Sequence, residues 1–312
     1  MKQRISLIYC FQITTLLVAA SEAGTRNASA STNWNLLPEN CGVAMDKRII
    51  GGKQVSALNG VPWIARLGFR EVTSTPCPNR LIFLCGGTLI SKRYVVSAAH
   101  CFSVHESKCH QCKLALQVVR LGEVNVETNP DCIETSCNEG YEDYNVSKIV
   151  VHSRFSPDYF YNDIALVRVD RDVRFSAYIY PICLLKGRLF DKDYVEESLH
   201  IAGWGLKKVF PEKESKILKE VSMKVTNKSD CGYSYEYQVA AGQICLLSTE
   251  YETGPCKGDE GGPASIFETE EGRWFIVGIM SFIPRVCGNM VKPLLATYLP
   301  VYTQWLLDNL QE

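Results

Sequence analysis

Residue types that do acid–base or nucleophilic chemistry stand in three short stretches of this chain. They are Ser97-Ala98-Ala99-His100-Cys101, Asn162-Asp163-Ile164-Ala165-Leu166, and Cys256-Lys257-Gly258-Asp259-Glu260-Gly261-Gly262-Pro263. In the last, three glycines allow a tight turn that carries two consecutive carboxylates. Glu260 has no hydroxyl proton to give and is a weak nucleophile, and an acyl adduct on it would be a mixed anhydride. Carboxylate nucleophiles belong to glycosidases and phosphoryl-transfer enzymes. A lone histidine in an apolar stretch is more often structural, so no single stretch decides the chemistry. A second group, Cys109-His110-Gln111-Cys112 with His105, holds residue types that ligate zinc. The competing reading is oxidation, the usual fate of neighbouring cysteines outside the cell.

The elements that must position these residues read as strands. Leu81-Ile82-Phe83-Leu84, Leu116-Gln117-Val118-Val119-Arg120-Leu121, Ile164-Ala165-Leu166-Val167-Arg168-Val169 and Trp274-Phe275-Ile276-Val277-Gly278-Ile279 are short apolar or alternating runs separated by turns. That pattern predicts an all-β barrel or sandwich. No internal repeat is visible. One helix is expected at the C-terminus, with Pro300 in its first turn and Val301, Tyr302, Trp305, Leu306 and Leu310 on one apolar face.

Composition sets the compartment and excludes some partners. The 312 residues are 46% hydrophobic with a formal net charge of −1, enough for a large core and too balanced for a nucleic-acid binder. Residues 1–23 read as a signal peptide: Lys2 and Arg4 precede a mostly apolar run, and Ser21-Glu22-Ala23 suits cleavage. A membrane anchor fits less well, because the run is short and interrupted by Gln12 and two threonines. No later stretch could span a bilayer, and the expected localisation is extracellular. Fourteen cysteines agree with an oxidising compartment; Cys10 leaves with the signal, so an odd number remains. Asn27, Asn145 and Asn227 head N-x-S glycosylation sequons. Residues 24–40, polar and rich in Ser, Asn and Thr, read as a mobile leader.

Taken together and in order, these stretches resemble the chymotrypsin-like (S1) serine proteases. Residues 256–263 match the G-D-S-G-G-P signature except that Glu260 stands where the serine belongs. The Ala-Ala-His-Cys stretch presents His100 as the general base, the stretch around Asp163 resembles the strand whose aspartate orients it, and Gly203-Trp204-Gly205 matches a further landmark. Lys47-Arg48-Ile49-Ile50-Gly51-Gly52 resembles the family's activation site, with cleavage between Arg48 and Ile49 by an upstream trypsin-like protease. Cys41-Gly42 before that site is similar to arthropod clip-domain proteases and their homologues. Only Cys41 lies between signal and cleavage site, however, and a clip domain needs six cysteines. The implied organisation is a signal peptide at 1–23, a leader and activation segment without a clip domain at 24–48, and a trypsin-like domain at 49–312.

The resemblance also implies structure. The fold is two six-stranded antiparallel β-barrels with the site in the cleft between them and a C-terminal helix. The implied disulfides are Cys85 with Cys101, Cys231 with Cys245, Cys256 with Cys287, Cys41 with Cys183, and Cys132 with Cys137 in a lengthened loop. Cys77, Cys109 and Cys112 are left without an assigned partner, consistent with one bridge and one thiol. Gly258 falls at an oxyanion-hole position, and Asp259 is the acceptor for the new amino terminus after cleavage. Glu123 and Asn125 resemble the start of a calcium loop; no other metal or cofactor is implied.

Function then turns on what has changed. Loss of the nucleophile in a serine protease costs on the order of 10⁶ in turnover. Glu260 is also expected within reach of His100, as an imidazolium–carboxylate pair. The pocket has changed too. Gly254 stands where trypsin-like members keep an aspartate, Ile283 replaces the glycine of an S-W-G segment, and Leu294 replaces a pocket-wall glycine. Occlusion is the expectation. The reading is a secreted, non-catalytic serine protease homologue acting as cofactor or regulator in an extracellular protease cascade, with innate immunity and melanisation as the family setting. Its partners would be cascade proteases or their substrates, with no nucleic acid. Residual S1 endopeptidase activity through His100, Asp163 and Gly258 is one alternative; a surface-recognition protein with no protease partner is another.

Overall fold

A computed structural model describes residues 32–44, 58–71, 80–103, 113–133, 135–208, 213–235, 238–248, 254–283 and 293–312. Arg48, Ile49, Asn27, His105, Cys77, Cys109, His110, Cys112 and Cys287 lie outside the described residues.

Aliphatic and β-branched runs of four to ten residues, broken by turns, build two closed sheets. The first contains β1 (Ile64–Glu71), β2 (Ile82–Leu89), β3 (Tyr94–Ser97), β4 (Leu114–Leu121), β5 (Glu142–Val151) and β6 (Ala165–Val169). It closes as a barrel in the order β1-β2-β3-β6-β5-β4, every pairing antiparallel. The second contains β7 (Ser198–Gly203), β8 (Lys219–Thr226), β9 (Gln243–Ser248), β10 (Pro263–Glu268), β11 (Arg273–Phe282) and β12 (Leu294–Tyr298). Its order is β7-β8-β9-β12-β11-β10, closed by the pairing of β7 with β10. The two barrels therefore repeat one strand order, a repeat the residues themselves do not show.

Closure explains why strands such as Ala165–Val169 and Trp274–Met280 are apolar on both faces. One face fills the barrel and the other is covered from outside, so alternation disappears. One apolar cluster runs from the first barrel through Trp204, Trp274, Ile279 and Leu306, and a second fills the other barrel around Leu199, Val225, Leu246 and Met280. Each fully buried aliphatic side chain stabilises by roughly 1.5–3 kcal/mol.

The C-terminal helix is present, preceded by a tighter turn. Leu299–Tyr302 is a 3₁₀ turn with Pro300 near its start, and α-helix follows over Thr303–Asn309. Tyr302, Leu306 and Leu310 are buried, but Val301 is exposed, contrary to the expected apolar face. The three-residue period of the 3₁₀ turn aligns Leu299 with Tyr302 and leaves Val301 pointing outward. A second short helix, Lys228–Tyr235, has no apolar period to announce it; its buried Cys231 is bonded to Cys245 of β9.

The leader reading also needs correction, because residues 32–44 are docked. Asn33 Nδ2 donates to the carbonyl of Leu307 at 2.8 Å, at the end of the C-terminal helix. Cys41 is bonded to Cys183, Gly42 N–H donates to Pro181 O at 2.8 Å, and Trp274 N–H donates to Gly42 O at 2.9 Å. A mostly polar segment is thus fixed by hydrogen bonds, one covalent tether, and the packing of Leu36, Leu37 and Ala44 on the core. Disulfides also join Cys85 with Cys101 and Cys132 with Cys137, and Cys256 is disulfide-bonded. No helix among the described residues is long and apolar enough to cross a membrane.

Candidate functional site

His100 sits on the 3₁₀ turn Ala99–Phe102 that follows β3, pinned by the Cys85–Cys101 bond to β2. Asp163 precedes β6 and is fully buried. Because β3 and β6 are neighbours, Asp163 Oδ2 lies 2.8 Å from His100 Nδ1, and Oδ1 accepts the backbone N–H of His100, also at 2.8 Å. A third donor comes from the second barrel: Ser281 Oγ, on β11, donates to Asp163 Oδ2 at 2.5 Å. Thr297 Oγ1, on β12, donates to the carbonyl of Asp163 at 2.7 Å. The carboxylate is thus satisfied in an apolar setting where an unpaired charge would be costly.

Burial alone would lower the His100 pKa. The charge of Asp163, its hydrogen bond to the ring, and then the charge of Glu260 outweigh that and raise it above its ordinary value. Phe160 packs edge-on to the imidazole with centroids 5.6 Å apart, and also meets Phe282. Phe160 and Asn162 both have positive φ, 53° and 55°. Asparagine tolerates that conformation, but for a bulky residue such as Phe160 it is a strained one.

The turn from Cys256 to Gly262 is stitched to both barrels. Glu260 O accepts the N–H of Gly86 on β2 at 2.7 Å, and Gly261 N–H donates to Met280 O on β11 at 2.7 Å. Gly261 has φ of 80°, and a Cβ there would collide with Ser97 Oγ and Gly86 O, so glycine is required twice over. The Glu260 side chain folds back into its own loop, where Oε2 accepts the N–H of Gly258 at 2.6 Å. Burial raises the Glu260 pKa, opposed by the Gly258 N–H, its own backbone N–H, and the charges of His100 and Lys257. The expected direct pair with His100 is not formed: the ion pair of His100 is with Asp163, and Glu260 acts on the ring only through space. The backbone N–H groups of Gly258 and of Glu260 itself bind the carboxylate instead.

Asp259 points the other way, into the protein. Its Oδ1 accepts Gly205 N–H at 2.6 Å and its Oδ2 accepts Cys256 N–H at 2.8 Å. Burial pushes its pKa up to about 7 against those two hydrogen bonds, with the neighbouring Glu260 charge adding to the rise. Arg48 and Ile49, its expected partners after cleavage, are outside the described residues.

Of the altered pocket positions, Leu294 is buried in the second-barrel cluster and Ile283 packs against that same cluster, which brings the two together. Gly254 is half-buried two residues before Cys256. At the calcium-like loop, Glu123 is buried and its Oε2 takes a hydrogen bond from Arg120 at 3.3 Å. Asp131 accepts the N–H groups of Val124 and Asn125 at 2.7 and 2.9 Å. Thr128 Oγ1 completes the Asp131 carboxylate, whereas Glu123 Oε1 is buried without a hydrogen-bond partner among the described residues. Cys85, His100 and Cys101 also converge, but both sulfurs are spent in a disulfide and offer no thiolate. Asn145 and Asn227 are both exposed, and Asn145 Nδ2 donates to Asp170 at 3.0 Å. Sequence reasoning missed Ser281 and Thr297 as supports of Asp163. They lie 118 and 134 residues away; Ser281 opens the S-W-G-like segment, where it reads only as pocket lining, and no local signal marks Thr297.

A family model described as Trypsin matches residues 49–306. The chain is 32% identical over 300 residues to the CLIP domain-containing serine protease HP8 of Bombyx mori, covering 91% of this chain and 77% of that protein. It is 30% identical over 319 residues to the Spaetzle-processing enzyme of Drosophila melanogaster, covering 98% and 77% respectively. Among solved structures, the Drosophila Grass clip serine protease of the Toll pathway aligns with a TM-score of 0.71 at 28% identity, over 90% of this chain and 76% of that one.

Proposed function

Because this chain belongs to the trypsin family, we propose that it is a secreted, non-catalytic member that acts as a cofactor or regulator within an extracellular protease cascade. The observation that carries the proposal is the position of the Glu260 carboxylate. By the resemblance of residues 256–263 to the family signature it falls at the position of the attacking serine, and it accepts the Gly258 N–H at 2.6 Å. An acyl-transfer site needs that donor vacant for the oxyanion that develops on the substrate, and donors of this kind contribute about 2.7–4 kcal/mol each to the barrier. Here the donor already has an anion, supplied by a residue with no hydroxyl to attack with. His100 and Asp163 keep the arrangement of a general base and its orienter, but the base has no proton to take.

Relatives named Spaetzle-processing enzyme, Melanization protease 1 and Serine protease grass support the cascade setting. In this proposal residues 1–23 are removed on secretion and an upstream trypsin-like protease cuts after Arg48. Cys41–Cys183 would keep the leader attached, so the cut changes shape without releasing a fragment. Recognition would then fall to surface loops on the rigid barrels. The test is reconstitution of a cascade protease with its protein substrate, with and without the cut chain. A change in processing rate at stoichiometric, not catalytic, amounts is expected. No change in rate for any cascade pair, or an effect that turns over many substrates per chain, contradicts the proposal.

A further inference from the structure

Asn227 heads one N-x-S sequon and stands at a corner of the second barrel, between the end of β8 at Thr226 and the short helix that starts at Lys228. An asparagine just before a helix usually spends its side chain as a cap. Here only the backbone carbonyl is engaged, by the N–H of Asp230 at 3.0 Å. Among the described residues the side-chain amide of Asn227 makes no hydrogen bond, and both Asn227 and Ser229 are exposed. The same asparagine lines an open groove of about 230 Å³, with Asp193, Val195, Val225, Ile244 and Tyr298. That is smaller than the roughly 300–1,000 Å³ of a site for a drug-sized molecule, and it suits a single sugar ring. The walls suit one too. Val195 is 38% exposed although aliphatic, and the half-buried Tyr298 meets Tyr194 edge-on, with centroids 6.5 Å apart. Burial, and then the charges of Asp193 and Asp191, raise the Tyr298 pKa, so its hydroxyl keeps a proton to donate. Asp193 takes the N–H of Val195 on Oδ1 at 3.0 Å, which leaves Oδ2 as an acceptor.

We propose that Asn227 carries an N-linked glycan whose first N-acetylhexosamine lies in this groove, its apolar face on Tyr298 and Val195 and a hydroxyl on Asp193. Transfer forms a bond from Asn227 Nδ2 to the anomeric carbon of the sugar and releases one amide proton. It breaks that carbon's bond to a lipid diphosphate donor, whose oxygen keeps the electron pair. The covalent link is what selects the occupant, because a ring tethered at the edge of the groove has a high effective concentration there. Once seated, it covers apolar surface that the barrel leaves open and joins the end of β8 to β12. Such modification requires the secretory route, so the inference rests on the secretion reading above.

The test is made on the full chain, expressed in a eukaryotic secretory cell and recovered from the medium. Peptide mapping by mass should find Asn227 glycosylated. A crystal structure of that protein, trimmed enzymatically to one sugar, should show the ring in van der Waals contact with Tyr298. Secreted protein with a bare Asn227 overturns this inference and leaves secretion standing, whereas a chain retained in the cytosol overturns both. A sugar that projects into solvent overturns the seat in the groove. Stability provides an independent reading. Relative to the trimmed wild type, Ser229→Ala, which abolishes the sequon but leaves Asn227, should raise the unfolding equilibrium constant by about threefold or more, the effect of exposing about 25 Å² of apolar surface. Asn227→Gln should match it, and Ser229→Thr, which keeps the sequon, should not. An effect of Asn227→Gln with none from Ser229→Ala would assign the stability to the asparagine and not to its sugar, and would also overturn the proposal.

Discussion

The Glu260 carboxylate lies on the backbone N–H of Gly258, and not on the imidazole of His100. Two residues that would cooperate in a protease, a base and the group beside it, are thereby disengaged from each other. His100 is instead locked to Asp163, and the anion-binding corner of the site is filled from within the same loop. In the proposed function, the orienting machinery is assembled while the chemistry stops at the position of the nucleophile.

Restoring the nucleophile alone will not restore a trypsin-like enzyme. Glu260→Ser frees the Gly258 N–H and supplies a hydroxyl, but Gly254 offers no carboxylate for a Lys or Arg side chain, and Ile283 and Leu294 remain packed on the second-barrel core. The expected outcome is no measurable cleavage after Lys or Arg by the cut variant. Robust cleavage would show that the pocket is open and that the replacement of serine is the whole of the change.

His100 should titrate above its ordinary value, and the two carboxylates should contribute unequally. Asp163 touches the ring whereas Glu260 acts at a distance. Asp163→Asn is expected to lower the His100 midpoint strongly, and Glu260→Gln to lower it by a smaller step, both read by NMR titration of the imidazole. An unchanged midpoint in Glu260→Gln removes the through-space coupling from the account. Since the folded value is raised, the stability gained from protonated His100 is present below pH 6.5 and lost as pH climbs through that raised value.

Asp259 makes a second pH signature. Its pKa rises from an ordinary 3.8 to about 7 in the fold. Between those values the folded chain holds a proton that the unfolded chain has released, so stability falls as pH rises across that window. Burial of Glu260 acts with the same sign. The loss attributable to Asp259 is bounded at roughly 4 kcal/mol. Urea midpoints at pH 4.5 and 8 should differ accordingly, and Asp259→Asn should flatten the slope. A variant with the same slope as wild type would show that Asp259 is already ionised at low pH.

How much of this was legible in the residues varies by kind of information. The stretches around His100, Asp163 and Glu260 are local: the three glycines foretell the turn at Glu260, and the apolar run after Asp163 foretells the strand that begins at Ala165. What holds Asp163 was not legible, because Ser281 and Thr297 reach it from another barrel through strand register. The shared strand order of the two barrels is topological and leaves no trace in residue identity. Residues 24–40 read as mobile, yet 32–40 dock, because two leucines and a few hydrogen bonds suffice without forming an apolar period. The orientation of Glu260 follows from the backbone N–H groups that bind its carboxylate, which residue spacing cannot encode.

The tether between leader and barrels gives a prediction on stability. Cys41 and Cys183 close a separation of 142 residues, and removing such a bond typically costs about 2–4 kcal/mol. Cys41→Ser in the full chain should lower the unfolding midpoint by that order. After a cut at Arg48 the same variant should shed its leader on a non-reducing denaturing gel, whereas wild type should not. A wild-type chain that releases its leader without reductant would show that the bond does not form in the secreted protein.

The most direct test of the central claim is active-site titration of purified protein cut after Arg48. A fluorophosphonate probe and an activated ester are applied in parallel, with an active trypsin-family protease as reference. The account predicts no covalent labelling, no burst of acyl product, and ester turnover no faster than background. A burst stoichiometric with protein, abolished by His100→Ala, would mean that Glu260 or another group does accept the acyl chain, and would contradict the claim that this site is catalytically silent.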